Sequence, residues 1–376
     1  MAQGADVVVV GLGAMGSQVA RALAQRGRRV VGLDRFAPPH RLGSSHGRSR
    51  IIREAYFEEP AYVPLVQRAY ELWAALEAEA GRPLLRLTGG LMAGPPEGAL
   101  VRGARRSAEV HGLPCEDLSA AEIARRFPAF APEPGMVGVL EPRAGILFPE
   151  AGIEAALAGA ARAGAELRVD EEVRAWRPEG AGVEVRTARG SWTAGRLVIA
   201  AGAWLPRLAP DLPLTVERQV LHWFEPLRDH ATFAPEACPI SLWEVDGGTI
   251  FYAFPDLGDG VKAAIHHGGE TTDVERVRRD VTAEDEAGVR ALVQRLLPAA
   301  AGPRRESSVC LYTNTPDRHF LIDHHPEHER VLIVSPCSGH GFKFAPVIGE
   351  VVADLVTTGA SRFDLKPFSL ARIRPG

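Results

Sequence analysis

The chain opens with an unbroken apolar run, Val7 to Val10, too short for a helix and closed by a glycine-rich turn, and it reads as a strand. The order that follows is strand, turn, helix, strand: DVVVV, GLGAMG, the Ala-rich SQVARALAQRG stopped by Gly27 as its C′ residue, then RVVGLD. Over Ala61 to Ala80 the residues Leu65, Ala69, Leu72 and Leu76 recur at helical spacing, with Val66 and Trp73 beside them, and Gly81-Arg82-Pro83 ends the helix. Residues 85 to 145 mix many Gly and Pro residues with short elements whose order the pattern leaves open. A strand-helix alternation returns with an Ala-rich helix at 152 to 164, paired strands near 166 to 187, and an apolar strand at 196 to 204.

From 215 to 265 the pattern turns β-rich, in VERQVLHWFEP, TIFYAFP and GVKAAIHH, and predicts an antiparallel sheet with a wide face. A helix is expected at 283 to 297, then short strands in SVCLYT, FLIDHH and RVLIVSP. After these, GHGFKF opens a last helix through Val347, Val351, Val352 and Leu355 to Gly359. At 376 residues the chain exceeds one ordinary core, and without a repeat or linker its two domains are expected to interleave.

Gly11, Gly13 and Gly16 form G-x-G-x-x-G between the first strand and helix, and Asp34 follows 18 residues past Gly16 at the end of the next strand. Such glycines permit a tight turn and close approach to a pyrophosphate; the helix N-terminus favours its charge, and the acid takes a ribose hydroxyl. This motif alone does not separate NAD from FAD. Sheet elements recurring near 196 and 331 suit a flavoprotein whose distant segments complete the cofactor site. No second G-x-G-x-x-G is present to bring NAD(P)H to a flavin, so oxygen or an external acceptor would reoxidise it.

A formal charge of −4 argues against nucleic acid or an anionic membrane as the main partner and leaves a small ligand. Residues 1 to 6 lack the charged and apolar regions of a signal peptide, and no apolar run is long enough to cross a bilayer. Cys115, Cys238, Cys310 and Cys337 are far apart, as suits reduced thiols in the cytoplasm. The chain has three lysines, Lys262, Lys343 and Lys366, against 40 arginines. A lysine kept in such a background is suited to tasks that need a compact, titratable point charge.

The stretches GSSHGRSRIIREAY (43 to 56), YVPLVQRAYELW (62 to 73), YAFP (252 to 255), KAAIH (262 to 266), CLYT (310 to 313), HFLIDHHPEH (319 to 328) and SGHGFKF (338 to 344) resemble, in order and nearly end to end, the monomeric sarcosine oxidase family of covalent flavoproteins, which includes N-methyltryptophan and pipecolate oxidases. The resemblance implies an α/β fold in which a doubly wound, parallel-sheet FAD domain is interleaved with a substrate domain on a large antiparallel sheet. The expected segments are 1–85, 146–214 and 308–376 for FAD, and 86–145 and 215–307 for substrate. It implies FAD held covalently, 8α-S-cysteinyl, through Cys310, with Gly11, Gly13, Gly16, Asp34, Arg50, Gly339, Gly341, Phe342 and Lys343 around the cofactor. Arg53 and Lys343 would grip the amino acid's carboxylate and Lys262 would activate oxygen. Tyr252, Tyr312 and His266 would line the substrate cavity, and Arg50 would pack over the flavin with His46 in the same segment. The implied reaction oxidises a secondary amino acid such as sarcosine with oxygen, in a single-chain enzyme.

This chain departs from the pattern at Arg48, where an acid is frequent, and at Glu54 and Phe57, in place of His and Gly. Trp243 falls near a segment that carries Met in sarcosine oxidases. Asp323, His324, His325 and His328 lack a metal-ligand spacing and read as the rim of a hairpin.

Overall fold

The computed structural model describes residues 3–373, organised around two large sheets. The opening apolar run is central to the first: Gln3–Val10 pairs in parallel with Val30–Leu33 on one side and Ser191–Ile199 on the other. Glu166–Arg168 continues the parallel order past Val30–Leu33, and His328–Ser335 joins alongside Leu197 to Ile199. Both faces of the sheet are covered, which is why the four valines need no polar alternation. Val7 and Val9 pack with the helices Ala14–Gln25 and Ala345–Thr358, whereas Val8 and Val10 face Leu205 and Leu370 on the other side.

The second sheet is largely antiparallel. Thr215–Phe224 pairs with Val261–His266 and Arg304–Asn314, and the order runs on through Thr249–Phe254, Ile240–Val245 and Gly90–Gly94 to Val137–Glu141 and Glu116–Ser119. Residues 85 to 145, unordered by pattern, thus supply this sheet's far strands. A third, three-stranded sheet joins Arg50–Ile52, Gly145–Leu147 and Leu85–Leu87.

Three expectations shift. The boundary expected at 308 falls inside Arg304–Asn314, whose full length pairs with Thr215–Phe224, so the chain leaves the antiparallel sheet only after Asn314. The strand expected at 196 to 204 ends at Ile199: Gly202 takes φ +53° and Gly202–Trp204 forms a tight helical turn, so apolar composition outran the extended backbone. The helix read from Ala61 starts as a short turn, Pro60–Tyr62, and continues as Val63–Ala80. The histidine cluster lies on a hairpin of Leu321–His325 against His328–Ser335, as the pattern suggested.

Candidate active site

One continuous cavity runs from the first glycine turn to the face of the second sheet. At the turn, Gly11 has φ +89°, and a Cβ there would stand 2.5 Å from the Ala200 carbonyl oxygen. A Cβ on Gly16 would stand 1.7 Å from Gly11 O, so the helix can start this close to the strand only with glycine. Gly13 has open space around its Cβ position. Asp34 lines the same end, accepting from Leu12 N at 2.6 Å and Phe36 N at 2.8 Å. Burial raises its pKa, and these two amides pull the other way. A turn stripped of side chains beside a buried carboxylate fits the phosphate and ribose of a dinucleotide cofactor.

At the other end the second sheet presents one face to the cavity. Residues two apart on a strand share a face, and so Lys262 and His266 on one strand, Tyr252 and Phe254 on the next, and Cys310 and Tyr312 on Arg304–Asn314 line it together. Lys262 Nζ donates to Gly47 O and Ser49 O, both at 2.8 Å, and to Ser49 Oγ at 3.0 Å. The rings of Phe254 and Trp223 lie 4.7 and 5.4 Å from it. Burial, with the Arg50 guanidinium, pushes its pKa well down. Three oxygen acceptors nevertheless match the three protons of an ammonium.

Arg50 donates through Nη2 to Ser44 O at 2.7 Å and to Cys310 Sγ at 3.5 Å. His46 is buried beside it and kept neutral, its pKa lowered to about 3 by burial and by Arg50 and Lys262. His266 Nδ1 is 3.2 Å from the Tyr312 hydroxyl, and burial lowers its pKa well below the ordinary value. Gly339, at φ +81°, lies under this pair: a Cβ would be 2.5 Å from the Tyr312 ring and 2.7 Å from His266.

Arg53 and Lys343 meet on another wall of the cavity, both buried. The Lys343 turn is fixed by the helix Val63–Ala80, where Trp73 Nε1 donates to Lys343 O at 2.8 Å and the Trp73 ring stacks on Phe342. Lys343 Nζ donates to His340 O at 2.8 Å, and burial plus Arg53 lowers its pKa to about 7. Arg53 Nη2 contacts both oxygens of Glu58, at 2.6 and 2.8 Å, while Nη1 donates to Ala55 O at 3.0 Å. Although burial works against it, Arg53 holds the Glu58 carboxyl below its usual range. Behind this segment, the buried Glu141 accepts from Glu54 N and Ala55 N at 2.6 and 2.8 Å, and burial pushes its pKa up to about 7.

All the site residues read from the sequence line this cavity except Gly16, which packs behind the turn, and His46, which is buried between Gly43 O and Ser308 Oγ. Trp243 faces away into the opposite core with Phe130; its neighbour Leu242, paired across the strands with Tyr252, faces the cavity instead. Glu58 and Leu242 carried no readable signal, and Tyr56 and His340 lay inside quoted stretches without an assigned task. Cys337 lines the cavity, with Sγ accepting from Thr313 N at 3.3 Å.

The FAD dependent oxidoreductase family, DAO, matches residues 6–355. A monomeric sarcosine oxidase of Streptomyces avermitilis is 44% identical over 374 residues, covering 98% of this chain and 97% of its own. An N-methyl-L-tryptophan oxidase of Yersinia pestis is 36% identical over 371 residues, covering 98% and 99%. Among solved structures, glycine oxidase from Geobacillus kaustophilus superposes with a TM-score of 0.82 at 23% identity over the whole of both chains, a likeness of fold. With this sequence match across nearly its whole length, the chain belongs to the FAD dependent oxidoreductase family, alongside the monomeric sarcosine and N-methyl-L-tryptophan oxidases.

Proposed function

We propose that this chain oxidises a secondary amino acid, foremost sarcosine, to glycine, formaldehyde and hydrogen peroxide with oxygen as acceptor. One observation carries the reading: two buried cations, Arg53 and Lys343, share a cavity with Tyr252, Tyr312 and His266 and with a second buried lysine beside Cys310. Gly11, Gly13 and Asp34 would hold the dinucleotide end of FAD, and Cys310 would bond through sulfur to its 8α carbon, with Arg50 close to that sulfur. When bound, the flavin supplies the two-electron oxidation, taking a hydride equivalent from a carbon beside the amine nitrogen and passing the electrons to dioxygen.

The protein's own part is mostly positioning. Arg53 offers a planar fork to the substrate carboxylate and Lys343 a point charge from another direction. Cations on two sides disfavour an ammonium between them, so the amine is bound in its unprotonated form. Leu242, Tyr252 and Phe254 make a wall that excludes water from the N-alkyl group. Lys262, held by three fixed acceptors, is placed to stabilise negative charge as it grows on oxygen.

The four unpaired cysteines support a reducing, cytoplasmic setting, and among the described residues no helix is long and apolar enough to cross a membrane. The relatives named monomeric sarcosine oxidase support a monomer. The test is peroxide release from purified holoenzyme offered sarcosine, N-methyltryptophan, pipecolate and proline. Sarcosine is expected to lead; a preference for a larger N-alkyl or cyclic amino acid moves the substrate, and turnover only with an artificial acceptor makes the enzyme a dehydrogenase. Acid precipitation tests the Cys310 bond: yellow pigment stays with the polypeptide, and Cys310→Ser releases it.

A further inference from the structure

The two cations of the carboxylate wall share one aromatic ring. Tyr56 is fully buried, with its ring centroid 4.4 Å from Arg53 Cζ and 5.2 Å from Lys343 Nζ. Its hydroxyl is hydrogen-bonded to His340 Nδ1. The direction of that bond follows from the other ring nitrogen, since His340 Nε2 lies 3.1 Å from Arg318 O. A carbonyl only accepts, so Nε2 carries the proton; burial keeps the imidazole neutral, its pKa lowered to about 3, and Nδ1 is left to accept from Tyr56. His340 also provides, through its carbonyl, the acceptor for Lys343 Nζ. The Tyr56 backbone is anchored as well, its carbonyl accepting from Ser107 Oγ at 2.6 Å on the helix Ala99–His111.

We propose that Tyr56, locked in orientation by His340, is the positioning residue that holds Arg53 and Lys343 together for carboxylate capture. Two like charges taken out of water repel each other. The negative face of a tyrosine ring attracts each of them, and with Glu58 on Arg53 it keeps the pair close before any substrate arrives. This rests on the reading that Arg53 and Lys343 bind the substrate carboxylate.

The experiment uses holoenzyme and acetate, with its dissociation constant read from the perturbation of the flavin's visible spectrum, in Tyr56→Phe, Tyr56→Leu, Arg53→Met and Lys343→Met. Loss of the ring in Tyr56→Leu is expected to weaken acetate by about tenfold and raise KM in step, with kcat within about twofold of the parent. Tyr56→Phe keeps the ring and loses only its lock, so a smaller loss, about threefold, is expected. Acetate binding unchanged in both Tyr56 variants but weakened by Arg53→Met and Lys343→Met overturns the inference and leaves the carboxylate reading standing. A fall in kcat with acetate affinity unchanged also overturns it. Acetate binding unchanged in Arg53→Met and Lys343→Met fails the carboxylate reading itself. Should Tyr56→Leu not fold, Tyr56→Phe decides by the same dissociation constant.

Discussion

Lys262 and Lys343 line one cavity and are held in opposite ways. All three Lys262 protons are taken by neutral oxygens of Gly47 and Ser49, so its ammonium is pinned and has no donor to spare. Among the described residues Lys343 has a single acceptor, His340 O, and a neighbour, Arg53, already engaged by Glu58. A pinned cation acts by field on whatever passes within reach; an underused one is a docking point. Burial lowers both pKa values, and for Lys343 the shift ends near neutral pH, at about 7. On the proposed function, the two lysines divide between sensing charge as it forms and receiving charge that arrives.

The contrast breaks hardest at Arg53. Arg53→Met leaves Glu58 buried without its partner and the substrate without its fork. We expect kcat/KM to fall about a thousandfold and the protein to lose about 3 kcal/mol, measured by steady-state kinetics and denaturant unfolding. Adding Glu58→Gln is expected to restore most of the stability and none of the activity. If the double variant regains activity, Arg53 is structural.

Lys262→Met is expected to slow reoxidation of the reduced enzyme by oxygen about a hundredfold in stopped flow while leaving anaerobic reduction by substrate within a few fold. Equal losses in the two half-reactions would erase the division between the lysines. A subtler probe is pH. The folded pKa of Lys343 lies below its unfolded value, so its charge, and with it the pull on a carboxylate, is present below about 7 and is lost as pH rises through that value. Acetate affinity is expected to fall about tenfold between pH 6 and 9, with the dependence gone in Lys343→Met. Stability runs the other way: the unfolded chain binds more protons between about 7 and the ordinary lysine value, so the cost of burying this group eases as pH rises there.

The smallest effect separates two neighbours in sequence. Leu242→Ala is expected to raise KM for a small substrate about threefold with modest loss of stability, because its side chain faces the cavity. Trp243→Leu is expected to leave KM alone and cost about 3 kcal/mol, because its ring fills the opposite core. Reversed outcomes would mean the strand Ile240–Val245 is out of register.

These two residues also mark how far the sequence could be read. The family resemblance carried by short motifs pointed to Cys310, Tyr312, Lys262 and His266, and the glycine turn with Asp34 pointed to a dinucleotide, since such features are local. The resemblance drew attention to Trp243, whereas its neighbour Leu242 is the residue that turns inward, because each step along a strand reverses the face. The bonds of Tyr56 to His340 and of Glu141 to the Glu54 and Ala55 amides join segments remote in the chain and have no local periodicity. Residues 85 to 145 were opaque for a related reason: their short strands are defined by the partners they meet in the second sheet.

The glycine turn and Asp34 hang from one sheet, while Leu242, Tyr252, Lys262, His266 and Tyr312 hang from the other. On the proposed function, drift at these side chains of the second sheet can retune which amine is admitted while the glycine turn keeps its hold on the nucleotide, although Cys310, on Arg304–Asn314, ties the flavin to the same sheet. Arg53 and Lys343 are the exceptions, Arg53 following the short strand Arg50–Ile52 and Lys343 delivered by the turn that starts a helix of the nucleotide layer, and on the proposed function they are the positions at which a change of diet would be hardest to evolve.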